Sequence, residues 1–466
     1  MQERFGDILK SVAWYKRLIL WMLVFFQFYP VFFTFMPVSM RVVISFLGMG
    51  LWLLKVLSYY LPSQHTVIAK KRFLALFVPL LGMTVLSIVS MNFNGTGDTQ
   101  FLYYFSTPLL MLSSGYFTVW VFRRFYGERL SFQVIAYYCV GVVFFQLCLG
   151  LAMYLNGGFR NFLLSKTQEG IVQLNNRGTV GRFMGFGAFF MNLGVANGVG
   201  LLLASIILKN HRVYSLGGWD KIKISFMLIF IGILGMFQAR TTLFCDLFML
   251  AFMSVSSLRL DYAMMKNGIL RVFNIMLVAA LFLLSIVALF PEFIASNNIA
   301  FQYGFEMFES VSQGNGLKTH SSDLLSWMLT IWPKSSKTWL IGDAWYIDPN
   351  GGFYMRTDVG YARLIFYFGI FGMLLFYIYE IAVVWCSFYK IARLSVAFLI
   401  YFTLMVLLIN LKSFTEYTHY VALFFMFKLM YPELVHESKP TAPTPTIINN
   451  KITLTSNQEV STLPTI

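Results

Sequence analysis

Charged residues are scarce in this chain. Asp, Glu, Lys and Arg together make up 12% of its 466 residues, against about 25% in an ordinary soluble domain. Hydrophobic residues reach 58%, and the mean hydropathy is +0.69. The apolar runs are continuous over ~20 residues and do not alternate, which favours membrane helices over a β-barrel. Composition therefore predicts an all-α polytopic membrane protein.

Cysteine and histidine are also rare. Cys139, Cys148, Cys245 and Cys386 all lie in apolar runs without metal-ligand or disulfide spacing, so we interpret them as packing residues. No nucleotide loop, zinc pattern or Ser/His/Asp order is present, and no metal or other cofactor is predicted. The formal net charge is +15, but the basic residues flank apolar spans, so we expect a lipid bilayer and no nucleic acid as partner.

Twelve apolar spans are predicted. Their approximate limits are 18–36, 42–60, 73–92, 101–122, 132–155, 183–208, 224–237, 241–257, 272–290, 358–385, 395–411 and 417–430. Gln238-Ala239-Arg240 is predicted to make a tight turn between the seventh and eighth spans. Residues 1–430 are thus expected to form one transmembrane domain.

The distribution of basic residues predicts the orientation. Of the 35 Lys and Arg residues, 22 fall inside, eleven outside and two within spans when the N-terminus is placed in the cytoplasm. Both termini are therefore expected inside. Residues 1–15 lack a small-residue cleavage site, so the first span is expected to be retained. The Pro- and Thr-rich segment 431–466 is expected to be a disordered cytoplasmic tail.

Two outside loops are long, covering about 156–182 and 291–357. Loops of this length are usually functional. In the second loop, Leu324, Leu325 and Met328 have the spacing of a short amphipathic helix. The DPNGG stretch at 348–352 predicts a turn.

Arginines on the predicted outer side form a candidate anion site. A guanidinium directs two N–H donors onto a phosphate and keeps its charge at working pH. Arg363 lies about one turn inside its span, although an arginine at the bilayer centre costs ~2.5–3.5 kcal/mol or more. The alternative is that these residues anchor helix ends at lipid head groups. The candidates are Arg177, Arg182, Arg240, Arg356 and Arg363.

Four further residues are candidates for proton transfer. Asp358 falls in the first turn of the tenth span, where it either pairs with Arg356 or Arg363 or acts as a general base. His320 is the only histidine of the outer loops, and Asp343 and Asp348 are acidic alternatives.

The segment GDAWYIDPNGGFYMRTDVGYARLIFYFGIFGMLLFY, residues 342–377, resembles the one that follows the large periplasmic loop of bacterial O-antigen polymerases. The elements that carry the resemblance are Gly342-Asp343, Thr357-Asp358, Gly360-Tyr361, Arg363 and Gly369 with Gly372. RGTVGRFMGFG at 177–187 and QARTTLF at 238–244 are similar to arginine segments of the same family, the polymerase branch of the O-antigen ligase/polymerase superfamily.

This resemblance implies a membrane glycosyltransferase at the periplasmic face of the inner membrane. Such enzymes transfer a growing glycan from undecaprenyl diphosphate to the next lipid-linked repeat unit, without a metal or a nucleotide sugar. The five candidate arginines would bind the diphosphate. A chain-length regulator and a flippase are possible protein partners.

Two alternatives stay open. The ligase branch places a histidine near the end of its large loop, where this chain has Asp358, with His320 nearly forty residues earlier. A lipid-linked saccharide flippase or transporter would instead show mid-span charges, broken helices and two related halves.

Overall fold

The computed structural model describes residues 4–60, 71–175, 183–188, 190–211, 214–254, 319–391 and 394–432, with scattered residues between 266 and 314. Helices dominate these residues, which contain no named strand and only two isolated bridges, Phe33 with Thr167 and Ile347 with Phe353. The predicted tail from 433 onward lies outside the described residues, as does most of the predicted span 272–290.

Sixteen α-helices are named within this part of the chain. They are α1 (Phe5–Lys10), α2 (Trp14–Phe28), α3 (Met40–Tyr60), α4 (Lys71–Asn94), α5 (Ser106–Tyr126), α6 (Phe132–Leu155), α7 (Gly157–Leu164), α8 (Gln168–Asn175), α9 (Phe190–Lys209), α10 (Gly218–Gln238), α11 (Thr241–Ser254), α12 (His320–Met328), α13 (Ser336–Leu340), α14 (Gly360–Phe388), α15 (Val396–Asn410) and α16 (Thr418–Met430).

Five of these helices contain segments long and apolar enough to cross a membrane. The segments are Met40–Leu57, Leu76–Asn94, Phe132–Leu155, Met191–Lys209 and Gly360–Phe388. Each overlaps a predicted span, so a helical membrane protein is confirmed as the general class. Helices α11, α15 and α16 are shorter apolar helices at three more predicted spans. The predicted turn after Gln238 is found, because α10 ends there and α11 begins at Thr241.

Small residues allow the central helices to approach closely. Helix α5 packs against both α3 and α16. A Cβ atom at Gly48 of α3 would lie 2.0 Å from the Ser113 carbonyl oxygen of α5, and one at Gly115 would lie 3.0 Å from the Ala422 carbonyl oxygen of α16. Glycines at such crossings bring two backbones together, which is how membrane helices gain packing energy.

Helix α14 is broken at Gly369. This residue has φ 75° and ψ −174°, which interrupts the helical hydrogen bonding. The carbonyl oxygen of Phe366 accepts a hydrogen bond from the Asp343 amide at 2.6 Å, and that of Tyr367 accepts one from Ala344 at 3.3 Å. The segment before α14 therefore satisfies backbone groups that would otherwise be costly within a membrane.

The linker 411–417 between α15 and α16 folds in among the helices. Thr415 and Asn410 are joined twice, by Thr415 N to Asn410 Oδ1 at 2.9 Å and by Asn410 Nδ2 to Thr415 O at 3.2 Å. The Tyr417 amide donates to Oε2 of Glu380 in α14 at 3.0 Å. Helix α16 begins directly after this linker and has 13 residues.

Candidate functional site

Arg363 is held between two aromatic rings in the first turn of α14. Its guanidinium carbon lies 3.7 Å from the ring centroid of Tyr346 and 3.7 Å from that of Phe353. Such contacts stabilise a desolvated cation, and the side chain is 5% exposed. Within the described residues, the buried Nε and Nη2 atoms make no hydrogen bond. The two rings therefore fix the position of the arginine, while these two donor nitrogens are not used in hydrogen bonds to the described residues.

Asp358 lies beside this arginine. Its Oδ1 atom is 3.7 Å from Arg363 Nη1 and accepts a hydrogen bond from the Ser413 hydroxyl at 2.8 Å. Burial raises the pKa of Asp358, while Ser413, Arg363 and Lys412 act to lower it. The side chain keeps 36% of its surface exposed, so the carboxylate stays accessible to a hydroxyl group.

Lys412 extends the positive charge towards the turn between α10 and α11. Its Nζ atom donates to the Thr241 hydroxyl at 3.1 Å. Burial and the neighbouring Arg240 lower the pKa of Lys412, whereas Asp358 raises it. Arg240 itself is paired with Glu306. The linker thus places Lys412 between Arg240 and Asp358. The sequence had indicated Lys412 only as one of the eleven basic residues on the predicted outer side.

A polar segment after α4 positions the aromatic ring over Arg363. Oδ2 of Asp98 accepts hydrogen bonds from the amides of Tyr346 at 2.7 Å and Ile347 at 3.2 Å. The Tyr367 hydroxyl donates to the Asp98 carbonyl oxygen at 2.6 Å. Sequence analysis missed Asp98, although its place in the short polar stretch NGTGDTQ between two apolar runs was a usable signal.

Asn94 and Thr96 hold the same loop from the side of α4. The Asn94 side-chain amide donates to the Gly342 carbonyl oxygen at 3.1 Å, and the Thr96 hydroxyl donates to that of Ala344 at 3.1 Å. Gly342 needs its positive φ of 82°, because a Cβ atom there would lie 2.3 Å from the Tyr367 carbonyl oxygen. Hydrogen bonds thus connect the loop around Gly342 and Ala344 to α4, and other hydrogen bonds connect it to the broken helix α14.

Asp343 and Asp348 have their carboxylates engaged in loop structure. Asp343 accepts hydrogen bonds from the hydroxyls of Thr338 at 2.8 Å and Tyr354 at 3.3 Å. Burial raises the pKa of Tyr354 to about 12, and Asp343 adds to the rise. Asp348 accepts from the Asn350 amide at 2.9 Å inside the predicted 348–352 turn. These contacts indicate that both carboxylates stabilise the conformation of the loop.

Arg356 lies away from the cluster that Arg363, Asp358, Lys412 and Ser413 form. Its side chain is exposed, and its φ of 55° follows one of 57° at Met355, a left-handed pair that is unusual for residues other than glycine. The structure therefore places Arg363 against Asp358 and leaves Arg356 at the surface. Arg177 and Arg182 lie outside the described residues.

His320 is the first residue of α12, and its side chain lies outside the described residues. Thr319 and Ser322 form a reciprocal cap at this helix start, at 3.0 and 2.7 Å. Leu325 and Met328 pack against the start of α14, whereas Leu324 is exposed. The amphipathic helix predicted here is found.

The arrangement combines fixed cations with one accessible carboxylate. Arg240, Asp358 and Arg363, three of the predicted site residues, join Lys412 and Ser413 in one region. Such a region can bind a multiply charged anion and accept a proton from a neighbouring hydroxyl. Within the described residues, no group of three His, Cys, Asp or Glu side chains could hold a metal ion.

Comparison with known proteins identifies no relative. No family model matches the chain, and no curated protein or solved structure does so either.

Proposed function

We propose that this protein is an oligosaccharide repeat-unit polymerase, a membrane glycosyltransferase that builds O-antigen or a related surface polysaccharide. Its substrates would be undecaprenyl-diphosphate-linked repeat units at the periplasmic face of the bacterial inner membrane. The observation that carries the proposal is the enclosed Arg363, whose Nε and Nη2 atoms make no hydrogen bond within the described residues, next to the accessible Asp358. The finer topology, twelve spans with both termini inside, is part of this proposal.

The proposed step is a glycosyl transfer. The terminal sugar hydroxyl of the acceptor unit attacks the anomeric carbon of the donor glycan. The new glycosidic C–O bond forms as the bond to the diphosphate oxygen breaks, and undecaprenyl diphosphate leaves with the electron pair. The hydroxyl proton passes to Asp358. Arg363, Lys412 and Arg240 stabilise the negative charge that grows on the leaving diphosphate.

The enclosure of Arg363 suits this role. Donors that are held in place before reaction need no reorganisation, and they act more strongly where water is excluded. The two aromatic rings hold the guanidinium group, and its Nε and Nη2 atoms make no hydrogen bond within the described residues. The proposal assigns these two buried nitrogens a bidentate contact to a phosphate of the bound substrate.

A second candidate function is transport of a lipid-linked saccharide. Two observations favour it: the break of α14 at Gly369 and the buried Glu380 within the same apolar helix. Broken helices and intramembrane charges are typical of transporters. Both features are also compatible with a polymerase, since the break here is filled by the loop that holds Arg363 in place.

A reconstituted assay tests the proposal. Purified protein in vesicles would receive undecaprenyl-diphosphate-linked repeat units, and products would be separated by gel electrophoresis. The proposal expects a ladder of glycan lengths and released undecaprenyl diphosphate. Movement of intact lipid-linked units across the vesicle without a ladder would support the transporter instead. Transfer only to a lipid A core acceptor would identify a ligase.

A binding measurement tests the anion site separately. Native mass spectrometry with undecaprenyl diphosphate should show an adduct that Arg363→Ala removes and Arg356→Ala largely retains. Undecaprenyl monophosphate, which offers fewer phosphate oxygens, should bind more weakly. Equal adducts in both variants would contradict the role given to Arg363.

A further inference from the structure

The carboxylate of Asp358 and the guanidinium of Arg363 form an ion pair that is longer than a hydrogen bond. Asp358 Oδ1 lies 3.7 Å from Arg363 Nη1, whereas hydrogen-bonded pairs of an arginine and a carboxylate close to about 2.7–2.9 Å. Both side chains belong to the start of α14, and nothing in their spacing of five positions prevents closure. A further contact therefore holds the two groups apart.

The hydroxyl of Ser413 provides that contact. Its Oγ atom donates to Asp358 Oδ1 at 2.8 Å, and this is the same oxygen that faces Arg363. Ser413 is 8% exposed, and a hydrogen bond away from water is stronger than the same bond in solvent. The serine thus fixes the orientation of the carboxylate from the side of the linker 411–417.

Backbone contacts place Ser413 next to Asp358. The Phe414 amide donates to the Asp358 carbonyl oxygen at 3.3 Å. Gly360 permits this close approach, because a Cβ atom there would lie 2.9 Å from the Asn410 carbonyl oxygen and 3.0 Å from the Phe414 Cα atom. The position of the linker therefore does not depend on the serine hydroxyl, and a variant without that hydroxyl should keep the fold.

The arginine is held by a different set of contacts. Tyr346, one of the two rings over Arg363, also packs against Phe414, at 6.0 Å between ring centroids. Burial raises the pKa of Tyr346 to about 12, so this ring is neutral at neutral pH. The charged groups that act on Asp358 are then Arg363 and Lys412. Aromatic rings thus hold the cation, while a neutral hydroxyl holds the acid.

We infer that Ser413 is a positioning residue that keeps the Asp358 carboxylate from closing onto Arg363. The inference rests on the proposed function, in which the acid takes a proton from the acceptor hydroxyl and the arginine binds the diphosphate. A closed pair would use the guanidinium donors and the carboxylate oxygens on each other. Separation by one hydroxyl leaves both groups charged and free to act on different parts of the substrate.

Removal of the hydroxyl has two opposing effects on Asp358. Loss of a hydrogen bond to the ionised form raises the pKa of a carboxyl group, and a closer arginine lowers it. Closure replaces one hydroxyl donor by two N–H donors that also carry positive charge, so the second effect is the larger. The pKa of Asp358 should therefore fall in Ser413→Ala. A serine that only stabilised the carboxylate would make it rise on removal.

Native mass spectrometry with undecaprenyl diphosphate tests the separation. In Ser413→Ala the diphosphate competes with Asp358 for Arg363, and binding should weaken about 10- to 100-fold, the range for one hydrogen bond to a charged group. The double variant Ser413→Ala/Asp358→Asn cannot form the ion pair, so it should bind as tightly as Asp358→Asn alone. Weak binding that persists in the double variant would assign Ser413 a general structural role and overturn the inference.

Ser205→Ala is the matched control. Ser205 is fully buried in α9, and its hydroxyl donates to the Leu202 carbonyl oxygen at 2.8 Å. The substitution thus removes a buried hydroxyl with a hydrogen bond of the same length, and binding should equal that of the wild type. Equal weakening in both serine variants would contradict the role given to Ser413. A wild type that binds no undecaprenyl diphosphate would contradict the proposed function, and a ligand-free measurement then decides on Ser413.

Infrared titration of the purified full chain is that measurement, since it needs neither substrate nor activity. The C=O band of the protonated acid that disappears in Asp358→Asn identifies this residue. Its midpoint should lie at lower pH in Ser413→Ala than in the wild type and should be unchanged in Ser205→Ala. A midpoint that rises or stays the same in Ser413→Ala would show that the acid does not close onto Arg363, and the inference would be wrong.

Discussion

Arg363 and Glu380 are buried charged residues of the same helix, and their surroundings differ in kind. Arg363 lies before the Gly369 break, with Asp358 accessible beside it, and two of its nitrogens make no hydrogen bond in the part of the chain that the structure describes. Glu380 lies after the break, where the Tyr417 amide donates to it. One region is open on one side, and the other is closed.

The difference shows how residue type decides what a buried charge can do. An arginine keeps its charge at any working pH, so its unpartnered donors persist and attract an anion from outside. A carboxylate can escape the cost of burial by taking a proton. We therefore expect ligand binding at the Arg363 region, and the following variants test the residues that form and support it.

The largest effect should come from Asp358→Asn. Loss of a general base lowers rates by about 10²–10⁴-fold, so the glycan ladder should collapse towards single repeats in the vesicle assay. Wild-type activity should also fall as the pH drops through the pKa of Asp358, which burial holds above its ordinary value. Asp348→Asn is the control, and an equal loss there would argue against a special role for Asp358.

Arg363→Ala should follow, with a rate lower by roughly 10²–10³-fold, the usual result of removing one donor to a developing negative charge. Arg363→Lys should recover only part of the rate, since a point charge cannot make the two-donor contact. Band intensities in the same assay give both values. Full recovery with lysine would mean that charge alone matters, and the contrast with the Glu380 region would weaken.

Gly369→Ala tests the break that separates the two regions. The positive φ alone costs about 1–3 kcal/mol for a residue with a side chain, and the new Cβ atom would meet the Leu340 carbonyl oxygen at 2.3 Å. Chemical unfolding of the purified protein should report this loss. Gly218→Ala, where a Cβ atom has open space, should change stability little, and equal results would mean that the break tolerates side chains.

Asp98→Ala should have the smallest effect. It removes one acceptor shared by the Tyr346 and Ile347 amides, which is worth about 1 kcal/mol for a typical hydrogen bond. Binding of undecaprenyl diphosphate should weaken less than in Arg363→Ala, because the aromatic ring is displaced and not lost. A titration by native mass spectrometry compares the two. Binding identical to that of the wild type would show that Tyr346 stays over Arg363 without this support.

Local patterns predicted the parts of the molecule that depend on neighbouring residues. Continuous apolar runs predicted helices at the five membrane-length segments, because hydrophobicity and helix length can be read along the chain. The short stretch between two apolar spans predicted the turn at 238–240, and the turn-forming residues DPNGG predicted the one at 348–352. Asp358 and Arg363 are five positions apart, so their proximity also followed from local spacing, whereas their enclosure by Tyr346 and Phe353 did not.

Only the tertiary structure decided which distant residues complete each region. Asp98 precedes Tyr346 by 248 positions, and Glu380 precedes Tyr417 by 37, and no periodicity links such pairs. The break at Gly369 stands in an apolar run, and the amides of Asp343 and Ala344 donate to the carbonyl groups of Phe366 and Tyr367 that precede it. The sequence determined a helical membrane protein, and through-space packing decided which charged side chains lie together, because contacts between distant segments cannot be read along the chain.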